Sequence, residues 1–382
     1  MLYPEFRPYP LELIVPPFES EITDLIIDMD HLRKKEIRTD THPVVFKQLV
    51  ELFHIVEGVA SARIEGNNTQ ILELLQADLG QQSSLSEGVK EIRNLENTLS
   101  FIDAVIDKRH IDISFTREIH KLIMEGLQPP PMGDVDERAG LFRQGEVGIA
   151  KSSHLPPPTW EINRLMDELF QFLDQRHPSK YDFIKSAIAH HRFVWIHPFA
   201  NGNGRTVRML TYAILIKQGF RVNTWRILNP ASAFCMDRNL YYESLSKADT
   251  GLHDGIMEWC LYMLNSLRAE IEKIDRLSDT FYLSSKIFIP AIDYSYQKKF
   301  LSEIESRILK IAVDKQLVQA SDFKEIFGNK LPQEISRQIR KLRDIDLLIP
   351  EYEGARKYVI NIRNDMLRSG ILNALDREGF LP

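Results

Sequence analysis

At 382 residues, with 43% hydrophobic and 27% charged side chains, the chain is long enough for two or three soluble globular domains with real cores. Its formal net charge of -6 argues against a polyanion binder as a whole, and its two cysteines, Cys235 and Cys260, are too few for a disulfide framework or a cysteine metal site. The first residues, MLYPEFRPYP, have no apolar leader region, and no apolar run reaches membrane-span length. The expectation is a cytoplasmic protein in a reducing compartment, with no membrane partner.

Residues 1–18, rich in proline and aromatics, read as an extended arm. From Ser20 to about Leu79 apolar residues recur three and four apart, which predicts helices. Thr69 is placed to cap the last of them and Gly80 to stop it. Two further helices are predicted over Glu91–Asp107 and Ser114–Leu127, the second capped by Ser114 or Thr116. The segment from Gln128 to Pro158 then mixes prolines, glycines and short β-type stretches, and reads as a loop containing a hairpin or short strands. Helices resume at Trp160–Arg176, Asp182–Phe193, Gly204–Gln218 and Asn239 to about Leu277, with Gly219 at a helix C-terminus. Beyond residue 300, three short helical stretches precede PEYEGARKYVINI, a hairpin turning at Gly354. Three helices followed by a hairpin is the order of a winged helix.

The densest chemistry lies in HPFANGNGRTVRML, residues 197–210. Gly202 and Gly204 permit a tight turn, and an amphipathic helix follows. Such a helix N-terminus offers free N–H groups and partial positive charge, a site for an anion. Arg205 and Arg208, three apart, share a helix face there, and guanidinium groups suit phosphate oxygens. His197 stands at the mouth of the turn with a side chain suited to taking a proton at neutral pH. A base beside a bound polyphosphate points to nucleotidyl or phosphoryl transfer onto a hydroxyl.

These residues resemble the Fic family motif, H-P-F-x-(D/E)-G-N-G-R-x-x-R, and AHHRFVWIHPF resembles the helix that leads into it. The resemblance covers roughly residues 10–265. It implies a helical core that transfers AMP from ATP to a Ser, Thr or Tyr hydroxyl of a protein, itself included, with Mg2+. By position, it implies that His197 is the base and Phe199 a buried anchor of the loop. Gly202, Asn203 and Gly204 would form the anion hole, Arg205 would bind phosphates, and Arg208 would hold the γ-phosphate. Asn201 departs from the pattern, which has a metal-binding acid there. Its carbonyl oxygen could ligate Mg2+ without charge, or the residue could simply support the turn.

SARIEGN, residues 61–67, resembles the family's inhibitory motif, (S/T)-x-x-x-E-(G/N), with Ser61 and Glu65 one helical turn apart. The resemblance implies that Glu65 pairs with Arg208 and blocks the γ-phosphate position. GLFRQGEVGIAKSSHLPPP resembles the family's flap, where Val147, Gly148 and Ile149 would align a target segment by edge pairing. RNLYYESLSKADTG resembles the segment beside the adenine, where Tyr241, Leu245 and Asp249 would contact the base.

The expected fold is mainly α: a Fic-type helical core with a small β-hairpin flap, plus a C-terminal winged-helix domain. The expected boundaries are 1–95 for a helical region carrying the inhibitory helix, 96–277 for the catalytic core and 278–382 for the C-terminal domain. In that last domain Arg337, Arg340, Lys341, Arg343, Arg356 and Lys357 are offset by Asp344, Asp346, Glu351 and Glu353. DNA is therefore disfavoured as a partner against protein docking or formation of a homo-oligomer. The leading expectation is a self-inhibited protein adenylyltransferase. An enzyme that removes AMP or performs another phosphate transfer, and a DNA-binding regulator whose core senses nucleotide, stay open as alternatives.

Overall fold

The structure is a computed structural model that describes residues 6, 8–35, 39–69, 73–74, 85–128, 138–149, 154–220, 227–328 and 332–382. Helix α1 spans Glu21–Lys34 and α2 spans Pro43–Ile64, with Pro43 at the first helical position, where its missing N–H costs nothing. The helix expected after Thr69 is described only at residues 73–74, which are helical, and its stop, Gly80, lies outside the described residues.

Helix α3 spans Glu87–Val105 and α4 spans Ile113–Met124. The cap of α4 is Asp112 and not Ser114 or Thr116: its carboxylate accepts from Phe115 N at 2.7 Å, and the Thr116 hydroxyl donates back to Asp112 O. A carboxylate one turn upstream also complements the helix dipole.

Helices α5 (Ile162–Asp174), α6 (Asp182–Ile196) and α7 (Asn203–Lys217) follow, then α8 (Pro230–Cys235). The single helix expected from Asn239 to Leu277 is two, α9 (Arg238–Ala248) and α10 (His253–Asp275). They break at Gly251, whose φ is 70° and where a Cβ would collide with the ring of Tyr9. The N-terminal arm thus lies against the α9–α10 corner, and only glycine suits both the backbone and that contact.

A π-helical turn, Leu283–Phe288, runs into α11 (Ile289–Gln297). Next come α12 (Glu303–Lys315), a 3-10 turn Ala320–Phe323 continuing as α13 (Lys324–Phe327), and α14 (Pro332–Asp344). Strands β1 (Leu348–Pro350) and β2 (Tyr358–Ile360) pair antiparallel around Gly354, and Val318 adds a bridge to Tyr358. This is the helix and hairpin order read from the sequence, closed by an unanticipated helix α15 (Asp365–Arg377). Strands β1 and β2 form a two-stranded sheet, the one sheet among the described residues. Among the described residues of the flap, Val147, Gly148 and Ile149 lie in irregular backbone, and residues 150–153, where the rest of the expected hairpin falls, lie outside the described residues.

Apolar side chains gather in three clusters. The largest joins α1, the ends of α2, α3, α4, α6 and α7 to α10. A smaller one joins Phe142 and α5 to Phe193, Phe199 and Val207. The third holds the C-terminal elements together with Val45, Phe46, Leu49, Leu52, Phe53 and Val56 of α2. Helix α2 therefore reaches from the C-terminal cluster into the largest one, where Val59, Ala62 and Ile64 are buried. Among the described residues, no helix is long and apolar enough to cross a membrane.

Candidate active site

The buried helix α6 delivers His197 and α7 leaves from Gly202, so the motif turn joins two packed helices. His197 has a φ of 50° and Gly202 one of 72°, both in the left-handed region. That conformation is rare for a residue with a Cβ, and the strain is held in place by the surrounding fold. Phe199 is fully buried and its ring stacks on His120 at 3.7 Å between centroids. Asn203 closes the turn with its side chain, accepting from Phe199 N at 2.9 Å and donating to Phe199 O at 2.8 Å. Asn203 thus clamps the turn where the anion hole is expected. The first amides of α7 have no carbonyl one turn behind them, and Gly204 is among them.

His197 Nδ1 lies 3.4 Å from Val194 O, which suits a proton on Nδ1 and leaves Nε2 as the basic atom. Burial pulls its pKa down to about 4, so the imidazole is neutral at pH 7. Arg208 is completely buried. Its Nη2 lies 2.7 Å from Glu65 Oε1, while Nε donates to Ser61 Oγ and Nη2 to Ser61 O, each at 2.9 Å. Burial works to raise the Glu65 pKa, but Arg208 and Arg205 overcome it and hold the carboxyl below its ordinary value. Glu65 is the C-terminal residue after α2, and Gly66 turns the chain away with a φ of 98°. A Cβ on Gly204 would collide with Glu65 Oε1, so the carboxylate sits against the first turn of α7, where an anion would bind.

Arg205 turns to Glu91 of α3, with Nη1 2.6 Å from Oε1. Asn201 presents a buried Oδ1 with no hydrogen-bond partner, while its main-chain oxygen lies 3.1 Å from His120 Nε2. An orphaned carbonyl oxygen at this place fits a ligand to a hard cation, although a lone neutral oxygen would leave most of the coordination to phosphates and water. Among the described residues no three His, Cys, Asp or Glu side chains group as a metal site.

Of the other expected residues, Tyr241 and Leu245 are less exposed than a binding wall requires. Tyr241 is buried with its hydroxyl 2.9 Å from His190 Nε2 and its ring stacked on Phe234, and Leu245 is buried in the largest cluster. Asp249 Oδ1 lies 3.1 Å from His191 Nε2, and its main-chain oxygen accepts from Trp195 Nε1. Val147 and Ile149 are half-buried, Gly148 is exposed and open around its Cα, and residues 150–153 of the flap lie outside the described residues.

Four residues of the site escape sequence reasoning. His120 ties α4 to the motif, accepting from Gly140 N at 2.8 Å and contacting Asn201 O. Arg143 holds the flap down: Nε donates to His197 O at 2.9 Å, Nη1 to Gly145 O at 3.1 Å, and Nη2 to Pro157 O. Tyr242 donates to Ile64 O beside Glu65, and Asn67 Nδ2 donates to Glu91 at 2.7 Å. No local pattern marks the first three, since the partners that tie them to the site, Asn201 O, His197 O and Ile64 O, lie far along the chain. Asn67 stands two residues after Glu65, within the motif already singled out.

Residues 110–215 match the model of the Fic/DOC family. Among curated proteins, the chain is 27% identical over 236 residues to a protein adenylyltransferase Fic of Nematostella vectensis, covering 60% of this chain and 51% of that one. It is 28% identical over 196 residues to a protein of the same name from Drosophila yakuba, covering 50% and 36%. The chain therefore spans between a third and about half of these relatives' length. Among solved structures, a Fic family protein from Desulfovibrio desulfuricans G20 shares the fold with a TM-score of 0.56 at 18% identity, over 92% of this chain and 98% of that one. Fic-1 from C. elegans, residues 134–508, shares it with a TM-score of 0.53 at 21% identity, over 66% and 71%. The turn, its histidine and its two arginines all fall inside the matched span, and the chain carries a Fic/DOC family domain over residues 110–215.

Proposed function

We propose that this protein is a self-inhibited protein adenylyltransferase, moving AMP from ATP to a Ser, Thr or Tyr hydroxyl of a protein target or of itself. The observation that carries the reading is the pairing of Arg208 with Glu65 at the first turn of α7, opposite a neutral His197. A carboxylate there occupies the place of a phosphate and competes for one guanidinium.

In the active arrangement Glu65 withdraws and Arg208 takes the γ-phosphate. Arg205 and the amides at Gly202, Asn203 and Gly204 hold the remaining phosphates. His197 Nε2 removes the proton of the target hydroxyl. The hydroxyl oxygen then forms a bond to the α-phosphorus, the bond from that phosphorus to the β-bridging oxygen breaks, and pyrophosphate leaves with the electron pair. The flap residues Val147, Gly148 and Ile149 align the target segment, and Tyr241, Leu245 and Asp249 shape the floor near the base. Mg2+ would neutralise polyphosphate charge, with Asn201 Oδ1 as its protein ligand.

We assign residues 1–95 to the inhibitory region, 96–277 to the catalytic core and 278–382 to a winged-helix-like unit. Within that unit Lys341 pairs with Glu305 at 3.1 Å and Arg343 with Asp344 at 2.9 Å, which favours a protein partner or a second copy over DNA.

The test incubates the wild type and the Glu65→Gly variant with ATP labelled at either the α- or the γ-phosphate. Label should reach protein from the α position only, more in Glu65→Gly than in wild type, and not in a Glu65→Gly variant that also carries His197→Ala. Transfer from the γ position alone overturns the reading.

A further inference from the structure

Arg205 is the less explained of the two arginines. It sits in the first turn of α7, yet the carboxylate beside it is not the inhibitory one. Its Nη1 lies 2.6 Å from Glu91 Oε1, and both side chains are only 14% exposed. The other edge of the same guanidinium is left open: Nε is buried and has no hydrogen-bond partner. A buried donor without an acceptor forfeits its hydration with nothing in return, which a ligand acceptor at that place would supply.

Glu91 is itself held. Its second oxygen, Oε2, accepts from Asn67 Nδ2 at 2.7 Å, and the same Nδ2 donates to Gly88 O at 3.1 Å. Asn67 Oδ1 accepts from Thr69 N at 2.9 Å, which fixes which end of the amide faces Glu91. Both carboxylate oxygens of Glu91 are thereby engaged, one by Arg205 and one by the segment that follows Glu65. An anchored carboxylate restricts the long, rotamer-rich arginine to one orientation, and the entropy of ordering it is met before any ligand arrives.

We infer that Glu91 is a positioning residue for nucleotide. It holds the outer nitrogen of Arg205 so that Nε presents to a polyphosphate oxygen, and Asn67 holds Glu91. This inference rests on the reading of the motif as a phosphate site. It adds a residue on α3, outside the matched family span, to the machinery that orients the substrate.

The experiment measures binding of ATP and of adenosine to the full chain in the Glu65→Gly background, where the inhibitory carboxylate is absent. Glu91→Ala should weaken ATP by about tenfold, the scale of one charged hydrogen bond, while adenosine binding stays unchanged. Glu91→Gln keeps an acceptor for Nη1 and should recover part of the loss. In a background that also carries Arg205→Ala, Glu91→Ala should have no further effect, because Glu91 acts through that arginine. The inference is overturned if Glu91→Ala changes ATP affinity less than twofold, weakens adenosine equally, or still acts when Arg205 is gone. If Arg205→Ala weakens ATP and Glu91→Ala does not, this inference alone fails. If Arg205→Ala leaves ATP unaffected, the phosphate reading of the site fails with it.

Discussion

The two halves of α2 are held by different physics. Val45, Phe46, Leu49, Leu52, Phe53 and Val56 lie among the C-terminal side chains, with Phe53 edge-on to Phe380 at 6.2 Å. Polar contacts reinforce that half: Gln48 Nε2 donates to Ile360 O at 3.2 Å and Gln48 Oε1 accepts from Ile362 N at 2.8 Å. The last turn, by contrast, grips the site through Ser61 and Glu65 on one guanidinium. Apolar burial is strong and indifferent to charge. An ion pair at the edge of a site is strong only while no competing anion is present. On the proposed reading, the helix stays docked at one end while its other end exchanges a carboxylate for a phosphate.

Breaking the apolar half should have the largest effect. Phe53→Ala empties a fully buried site and should cost about 3–5 kcal/mol of stability, read by denaturant unfolding. If it costs less than 1 kcal/mol, the C-terminal cluster is not what anchors α2.

Between the halves sits Glu57, fully buried, accepting from Ala231 N at 2.6 Å and Ser232 N at 3.1 Å. Burial, opposed by those two N–H donors, pushes its pKa up from 4.5 to about 8. The folded chain then keeps a proton that the unfolded chain releases. Its stabilising contribution is complete below pH 4.5 and is lost as pH rises toward about 8, with a slope of up to about 1.4 kcal/mol per pH unit. Glu57→Gln should flatten that part of the stability curve, whatever its effect on absolute stability. An unchanged slope would show that Glu57 is ionised in the fold.

Breaking the polar half should leave the fold standing and change the site. Glu65→Gly should tighten ATP binding by about tenfold or more, measured by direct titration, since Arg208 no longer has a rival for phosphate. Equal affinity in both proteins would remove Glu65 from the inhibitory role. In that active background, the base His197, pulled to about 4, should give a rate that stays level from pH 7 down to pH 6 and falls only as pH approaches about 4. An acid limb near pH 6.5 would mean that the imidazole is not desolvated as the structure has it.

The smallest effect belongs to the exposed pair of Glu51 and Arg363, which links α2 to the C-terminal elements at the surface. Arg363→Ala should cost about 0.2–1 kcal/mol in the same unfolding assay and shrink further in high salt.

Much of this was legible in the chain because it is local. Helical periodicity placed α2, α6 and α7, and the spacing from His197 to Arg208 placed a base, a turn and two guanidinium groups within one turn-and-helix unit. Asn203 bonding to Phe199 is local too, four residues apart. The single helix expected after Asn239 failed for a tertiary reason. Local propensity says how a segment prefers to fold, and a partner such as the Tyr9 ring against Gly251 decides whether it does. What the amino-acid sequence determined by itself was the helices and the glycine-rich turn that joins two of them, since backbone hydrogen bonding and side-chain spacing act over a few residues. What only the tertiary structure decided was which carboxylate each arginine faces. Glu65 and Arg208 are 143 residues apart and Glu91 and Arg205 are 114 apart, and charge acts through distance in space, which only the packed fold sets.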